Sequence, residues 1–516
     1  MTGDERPSGE DDGQTVGPLG RVVIRGVGLS GAGFFLTQAI TLASSIVLAR
    51  LTSPEAFGLY ASATILLGYT GMFVDSGMAA ALIQRRDRIE DAASTAFAAN
   101  VAAGLLLSLA AAASAPLIGL YFQSATVEAV AAVMAGIVAL DALLLVPDAL
   151  LQRRFSFLRR LVLSPSSALT FGVAAGVACG LGLGVWGLVI GRYASVAVEV
   201  LLIWGLIDWR PQRERVSFEM WRSLASFGRH IFATAFLTQF RNTVRTALLG
   251  RLVSIDAVGQ YRVADMLANF PRTAWVVSSA YVVFPAFAQI AHDVRRFEAA
   301  LRRTIRWMGI VTLPASALLI PLGPAIAVLL LGDRWRPAGY AIMAMAGIPL
   351  SGGLVSVLSE AAKGAGRPDV LSRTALFTGV ATPVLLAAFV PLGLVGIAGA
   401  GSLASLAGAC LLTRLVVRAL GFPLRSIVDA LCPSLLATSA LLGAVFPLQW
   451  LFVRAETHGT ASGLALLLAE VALGAAVYLV VLRLLDPAAI ATMADGARLV
   501  LARLRSGRGQ GRSRTE

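Results

Sequence analysis

Arginines set inside apolar stretches are the residues of this sequence whose type and spacing could do chemistry. Arg241 and Arg245 stand four apart in a run of helical character, so they share one face. Arg262 and Arg272 follow in the next run, with Asp265 between them. Four guanidiniums against one carboxylate leave three positive charges in excess, which a dry bundle would not tolerate. A guanidinium presents a planar fork of donors that pairs bidentately with phosphate oxygens. The chemistry expected of Arg241, Arg245, Arg262 and Arg272 is therefore recognition of a diphosphate in a water-filled cavity, with no bond made or broken. Two acids accompany them. Asp75 is open between pairing with one of these arginines across helices and coupling to a proton or cation, and Asp265 between neutralising Arg262 and lining the same cavity.

Other intramembrane charges are Asp141, Asp148, Arg192, Glu199, Glu360 and Glu470. Arg192 and Glu199, seven apart on one helix face, read either as an ion pair that fixes packing or as part of a pathway. The rest of the chemical inventory is thin. His230, His292 and His458 are scattered, and Cys179, Cys410 and Cys432 are widely spaced in apolar runs, so no metal site and no disulfide framework is expected. Gly26, Gly28 and Gly31 spell a dinucleotide fingerprint, but a polar tail precedes them instead of a strand. Those glycines are expected to allow close helix approach. Lys363, Gly364 and Gly366 lack the spacing of a phosphate-binding loop. Nothing points to ATP, to a cofactor or to an enzyme.

The elements that must position these charges follow from composition. Of 516 residues, 57% are hydrophobic and 14% charged, against roughly 25% charged in a soluble domain. Mean hydropathy is +0.76. A soluble globular protein would have to expose apolar patches far larger than such proteins carry. Apolar runs of spanning length fall at about 27–49, 58–83, 95–120, 126–150, 161–181, 184–206, 229–250, 260–287, 306–331, 339–361, 374–392, 395–413, 430–452 and 460–482. The expected fold is an all-α integral membrane protein of about fourteen transmembrane helices.

Orientation follows from the loop charges, because short cytoplasmic loops retain Lys and Arg. With the N-terminus inside, 33 of the 43 Lys and Arg fall on the inner side and 5 on the outer. Both termini are then cytoplasmic, in the cell inner membrane. The net charge of +13 belongs to these loops, so no nucleic-acid partner is expected. Outer loops are short, which leaves no extracytoplasmic domain to hold an active site. Trp204, Trp209, Trp307, Trp335 and Trp450 fall near span ends, where an indole bridges apolar and wet layers. In Val216–Gly228 the aromatic residues suggest a short helix lying in the cytoplasmic interface.

The sequence also repeats itself. Residues 35–66 align without gaps to 236–267, with 13 identities in 32 positions. Arg50, Gly58 and Tyr60 match Arg251, Gly259 and Tyr261, and Phe35-Leu36-Thr37-Gln38 matches Phe236-Leu237-Thr238-Gln239. Six spans separate the copies, so both run in the same direction. Two parallel six-helix lobes related by a pseudo-twofold along the membrane normal are expected, around a central cavity. The boundaries expected are a disordered tail 1–24, lobes 25–207 and 229–425, an interfacial linker 208–228, two extra helices 426–485 and a basic tail 486–516. Ser53, Pro54 and Glu55 read as the cap, first position and charge-complementing residue of a helix start.

The run Arg50-Leu51-Thr52-Ser53-Pro54-Glu55-Ala56-Phe57-Gly58-Leu59-Tyr60, with Asp75-Ser76-Gly77 and Leu82-Ile83-Gln84-Arg85, resembles the polysaccharide-transporter family, colanic-acid-exporter type, of the multidrug/oligosaccharidyl-lipid/polysaccharide exporter superfamily. Gly332-Asp333-Arg334-Trp335-Arg336-Pro337-Ala338 and Lys363-Gly364-Ala365-Gly366-Arg367-Pro368 are similar to further segments of it. The likeness runs from about residue 25 to 425. It implies a flippase for undecaprenyl-diphosphate-linked glycans in exopolysaccharide, capsule or O-antigen synthesis. The implied partners are the polyprenyl-diphosphate-linked glycan, membrane lipids, and a polysaccharide polymerase with its export machinery. Arg50, Pro54, Gly58, Tyr60, Arg251, Gly259 and Tyr261 would be its structural motif residues. Two rivals stay open: a cation-coupled multidrug exporter of the same superfamily, which would favour an acidic cavity, and a membrane glycosyltransferase or polysaccharide polymerase, which would need catalytic carboxylates beside a large outer loop.

Overall fold

The computed structural model describes residues 18–75, 78–85, 87–153 and 157–488. Among them the chain is helical throughout, without a strand. The first half runs α1 (Pro18–Leu51), α2 (Pro54–Ala63), α3 (Ile65–Asp75), α4 (Met78–Gln84), α5 (Ile89–Phe122), α6 (Ala125–Met134), α7 (Gly136–Arg153), α8 (Phe157–Gly180) and α9 (Val185–Leu206). The second continues with α10 (Phe218–Leu248), α11 (Ile255–Gln289), α12 (Val294–Leu331), α13 (Arg336–Ala344), α14 (Gly347–Gly364), α15 (Asp369–Phe389), α16 (Gly393–Leu420), α17 (Leu424–Pro447) and α18 (Thr460–Leu485).

Each apolar run expected as a span is occupied by a helix or by consecutive helices. Ten stretches of the described residues are long and apolar enough to cross a membrane, eleven when α13 and α14, bent by 44°, count as one. One of the ten, Asp369–Leu420, contains both α15 and α16. The protein is a multi-pass membrane protein.

Helix starts obey local rules in both copies of the repeat. The Ser53 hydroxyl accepts from Ala56 N at 3.3 Å, with Pro54 first in α2 and Glu55 in its first turn. Ser254 repeats the cap on α11, accepting from Ala257 N at 3.0 Å with Asp256 following. Such caps satisfy amides that have no partner inside the helix.

Two lobes result. In the first, α8 packs on α1 and α9, α5 on α6 and α7, and α2 on α6 and α9. In the second, α11 packs on α13 and α14, α12 on α13 and α14, and α15 on α10 and α16. The extra pair α17 and α18 packs on α12. The lobes meet chiefly through α2 against α11. There a Cβ on Gly58 would lie 1.8 Å from Ile255 O, and one on Gly259 would lie 1.8 Å from Pro54 O. Position 58 corresponds to 259 and 54 to 255 in the repeat, so the contact is self-complementary, as twofold symmetry requires.

Further bonds close the same end. Arg50 donates to Leu330 O at 2.7 Å and Leu329 O at 2.6 Å, the last carbonyls of α12. Trp335 Nε1 donates to Ala49 O at 2.9 Å, and its ring meets Phe57 edge-on at 5.5 Å. Trp335 is fully buried, which corrects its reading as an interfacial indole. The interlobe joint is dry enough to swallow it.

Three more expectations change. The segment read as a separate interfacial helix forms the first turns of α10, and its Met220 and Leu224 are buried against Leu82, Ile207 and Trp209. Of the fingerprint glycines, Gly31 faces open space inside α1, while nearby Gly33 approaches Leu161. Arg192 pairs not with Glu199 but with Asp141, at 3.1 and 3.0 Å to its two oxygens. Glu199 instead accepts from the Ser167 hydroxyl at 3.0 Å. Residues seven apart share a face without being in reach, whereas α7 and α9 pack side by side.

Candidate functional site

Two adjoining cavities lie around α10 and α11, of about 290 and about 630 Å³. They share Asn242, Arg245, Tyr261 and Asp265. The smaller straddles the lobes: Ala61 of α2, Thr64 between α2 and α3, and Gly68 of α3 line it with Gln239, Asn242 and Arg262 of the second lobe. The larger is built from the second lobe alone and runs from Tyr261 and Ile348 to Lys363 at the end of α14.

Arg241, Arg245 and Arg272 line the larger cavity, and Arg245 and Arg262 the smaller. The 3.6-residue period brings 241 and 245 to one face of α10, as their spacing predicts. Arg241 donates to Thr378 Oγ1 of α15 at 2.8 Å. Arg245 lies over the Tyr261 ring, Cζ 5.1 Å from the centroid, and donates to Asn242 Oδ1 at 3.4 Å. Stacking of this kind orients a guanidinium without neutralising it. Arg272 threads past α14 because Gly352 leaves room; a Cβ there would sit 2.1 Å from Arg272 Cδ.

Among the described residues, none of the four arginines has a carboxylate within the 4.0 Å of an ion pair. Nε of Arg245 and of Arg272 is buried without a hydrogen-bond partner. Asp265 does not neutralise Arg262; its carboxylate accepts from Asn269 Nδ2 at 3.0 Å. Asp75 closes α3, and its side chain lies outside the described residues. Of the motif residues, Tyr261 lines both cavities, whereas Arg50, Pro54, Gly58 and Gly259 make contacts across the interlobe joint. Arg251, the counterpart of Arg50, is exposed in the π-helical segment Leu249–Val253 that continues α10.

The charge breaks the repeat's symmetry. The first-lobe counterparts of Arg241, Arg245, Arg262 and Asp265 are Ile40, Ser44, Ala61 and Thr64. At these repeat positions the charges belong to the second lobe alone. Lys363 also lines the larger cavity, salt-bridged to Glu360 at 2.8 Å. Sequence reasoning counted it as loop charge, although being the chain's single lysine marked it out. Thr374, Thr378, Thr382 and Ser405 were missed as well, because hydroxyls in apolar helices commonly bond their own backbone. Among the described residues no cluster of metal-ligating side chains occurs.

Comparison with known proteins bears on the family and the fold. Residues 47–339 match the family model described as polysaccharide biosynthesis protein. The succinoglycan biosynthesis transport protein ExoT of Rhizobium meliloti (strain 1021) is 27% identical over 70% of this chain and 73% of its own. The lipopolysaccharide biosynthesis protein WzxC of Escherichia coli (strain K12) is 24% identical over 57% of this chain and 60% of its own. Among solved structures, the lipid II flippase MurJ in an inward closed conformation superposes with TM-score 0.73 at 16% identity, over 90% of this chain and 99% of that one. An inward-facing multidrug-resistance MATE transporter superposes with TM-score 0.60 at 15% identity, over 79% and 96%. These last two likenesses concern the fold.

Proposed function

The chain belongs to the polysaccharide biosynthesis protein family, and from that premise we propose that it flips a polyprenyl-diphosphate-linked oligosaccharide across the cytoplasmic membrane by alternating access. The observation that carries this reading is a cavity holding Arg241, Arg245 and Arg272 with no acid in ion-pair reach among the described residues. A diphosphate supplies the missing counter-charge, and each guanidinium contact is worth about 1.5–3 kcal/mol. The larger cavity, made by one lobe, keeps its shape while the lobes rock and holds the phosphates. The smaller, made by both, changes with them and takes the sugars next to the phosphates. Its Gln239, Asn242 and Thr243 offer donors and acceptors suited to hydroxyls.

In this reading both termini are cytoplasmic, residues 25–207 and 229–425 are the moving lobes, and α17 with α18 stands outside them. Closing the inner mouth breaks the joint of Gly58 and Gly259 and releases the headgroup outward. No bond is made or broken, so transport is the whole activity. Asp265, and Asp75 by position, would couple movement to an ion or tune the cavity charge. A polymerase would then receive the product at the outer face. The relative named for succinoglycan transport and the fold shared with a lipid II flippase support this reading. The cationic cavity weighs against a cationic drug as cargo.

Proteoliposomes test the proposal. With a fluorescent undecaprenyl-diphosphate oligosaccharide in one leaflet, the wild type should raise outer-leaflet delivery well above protein-free vesicles. Equal rates with and without the protein would refute it.

A further inference from the structure

A third cavity, of about 420 Å³, shares no lining residue with the cargo cavities and lies where α12 meets the ends of α17 and α18. Its polar lining is Arg302, Arg303 and Arg306 of α12, Asp429 of α17 and Asp486 after α18, with Pro433 among its apolar walls. The charges sort themselves. Arg306 is ion-paired with Asp486, and Asp429 pairs with Arg425 at 3.5 Å on its own helix. Among the described residues Arg302 and Arg303 have no ion-pair or hydrogen-bond partner, and both are exposed. Two uncommitted guanidiniums therefore face a cavity whose acids are already satisfied.

Its level in the bilayer is set by α12. Val294–Leu331 has 38 residues, about 57 Å at 1.5 Å each, nearly twice the hydrocarbon thickness. The apolar part begins after Arg306, so the three arginines stand at headgroup depth and Pro433 and Leu485 at the top of the acyl region. Such a basic notch between helices on the cytoplasmic side suits an anionic headgroup.

We propose that this cavity binds the phosphodiester headgroup of an anionic inner-leaflet lipid. The two non-ester phosphate oxygens meet Arg302 and Arg303, and the acyl chains run down the seam between α12 and α17. The lipid then bridges the second lobe to the extra pair, which sits outside the repeat and is held mainly by α12.

The test uses the full chain in a neutral detergent with phosphatidylglycerol, phosphatidylcholine or soluble sn-glycerol 3-phosphate added, read by thermal unfolding and native mass spectrometry. Phosphatidylglycerol should raise Tm in a saturable way and remain bound in the gas phase; phosphatidylcholine and glycerol phosphate should do neither. In Arg302→Gln with Arg303→Gln, the half-saturating phosphatidylglycerol concentration should rise at least tenfold, with Tm in phosphatidylcholine unchanged. Arg302→Lys with Arg303→Lys keeps the charge and loses the fork, so it should fall between, and it decides the matter should the glutamine pair express poorly. An unchanged phosphatidylglycerol response in either double variant overturns the site. An equal response to glycerol phosphate overturns the lipid and leaves a free-phosphate site.

Discussion

Gly58 and Gly259, 201 residues apart and equivalent in the repeat, each press against the backbone of the other lobe at the same distance. Each would place a Cβ 1.8 Å from a carbonyl oxygen, Ile255 O for one and Pro54 O for the other. No side chain fits there, so the joint exists only while both positions are glycine. This is the tightest statement of the twofold relation between the lobes, and it sits at the end closed by Arg50 and Trp335.

Gly58→Ala or Gly259→Ala should therefore open that end. Overpacking costs about 1–3 kcal/mol, which shifts the balance of closed and open forms roughly 5- to 150-fold. Maleimide labelling of a cysteine placed at Ala61, a buried residue of the smaller cavity's wall one turn from Gly58, should rise from outside the cell in either variant. Unchanged labelling would show that the joint yields without opening.

Orientation is checked in a background lacking Cys179, Cys410 and Cys432. A cysteine replacing Asp333, whose side chain is 79% exposed, should react with an impermeant reagent in intact cells. One replacing Arg425, 87% exposed, should react only after permeabilisation. The reverse pattern would invert the topology.

The pair Arg192 and Asp141 should prove structural. Each single alanine variant should lower thermal stability, and a double-mutant cycle should return a coupling of about 0.5–3 kcal/mol. Transport per folded molecule should be unchanged. A large transport defect with normal stability would move the pair into the pathway.

Tyr261 positions Arg245 through its ring face. Tyr261→Phe keeps that face, and Tyr261→Leu removes an interaction of about 0.5–2 kcal/mol. The leucine variant should weaken cargo binding by roughly 2- to 30-fold, the phenylalanine variant far less. Equal effects would assign the loss to the hydroxyl.

How much was legible in advance depended on how local the signal was. Arg241, Arg245 and Arg272 stood out because a charge in an apolar run is conspicuous and helical spacing fixes its face. The repeat announced the lobes and their helix starts, whose caps need only adjacent residues. What needed tertiary contact stayed hidden. Arg192 had a carboxylate on its own helix, yet its partner is 51 residues away on another. Lys363 looked like one more inner-loop charge until α14 carried it to the cavity edge. Gly58 and Gly259 were visible as matched residues, but their crossing is a property of two lobes brought together.

The central claim is that the second-lobe arginines hold the diphosphate. Export of surface polysaccharide by Arg241→Ala and Arg245→Ala, at limiting expression in a strain lacking the native gene, tests it most directly. Each variant should reach the membrane at the wild-type level with unchanged detergent stability. Headgroup binding should be about 10- to 150-fold weaker, from a lost contact of about 1.5–3 kcal/mol, and export should fall accordingly. Arg→Lys at either position should restore only part of it, since the ammonium lacks the fork. Wild-type export by either alanine variant would remove that arginine from the cargo site.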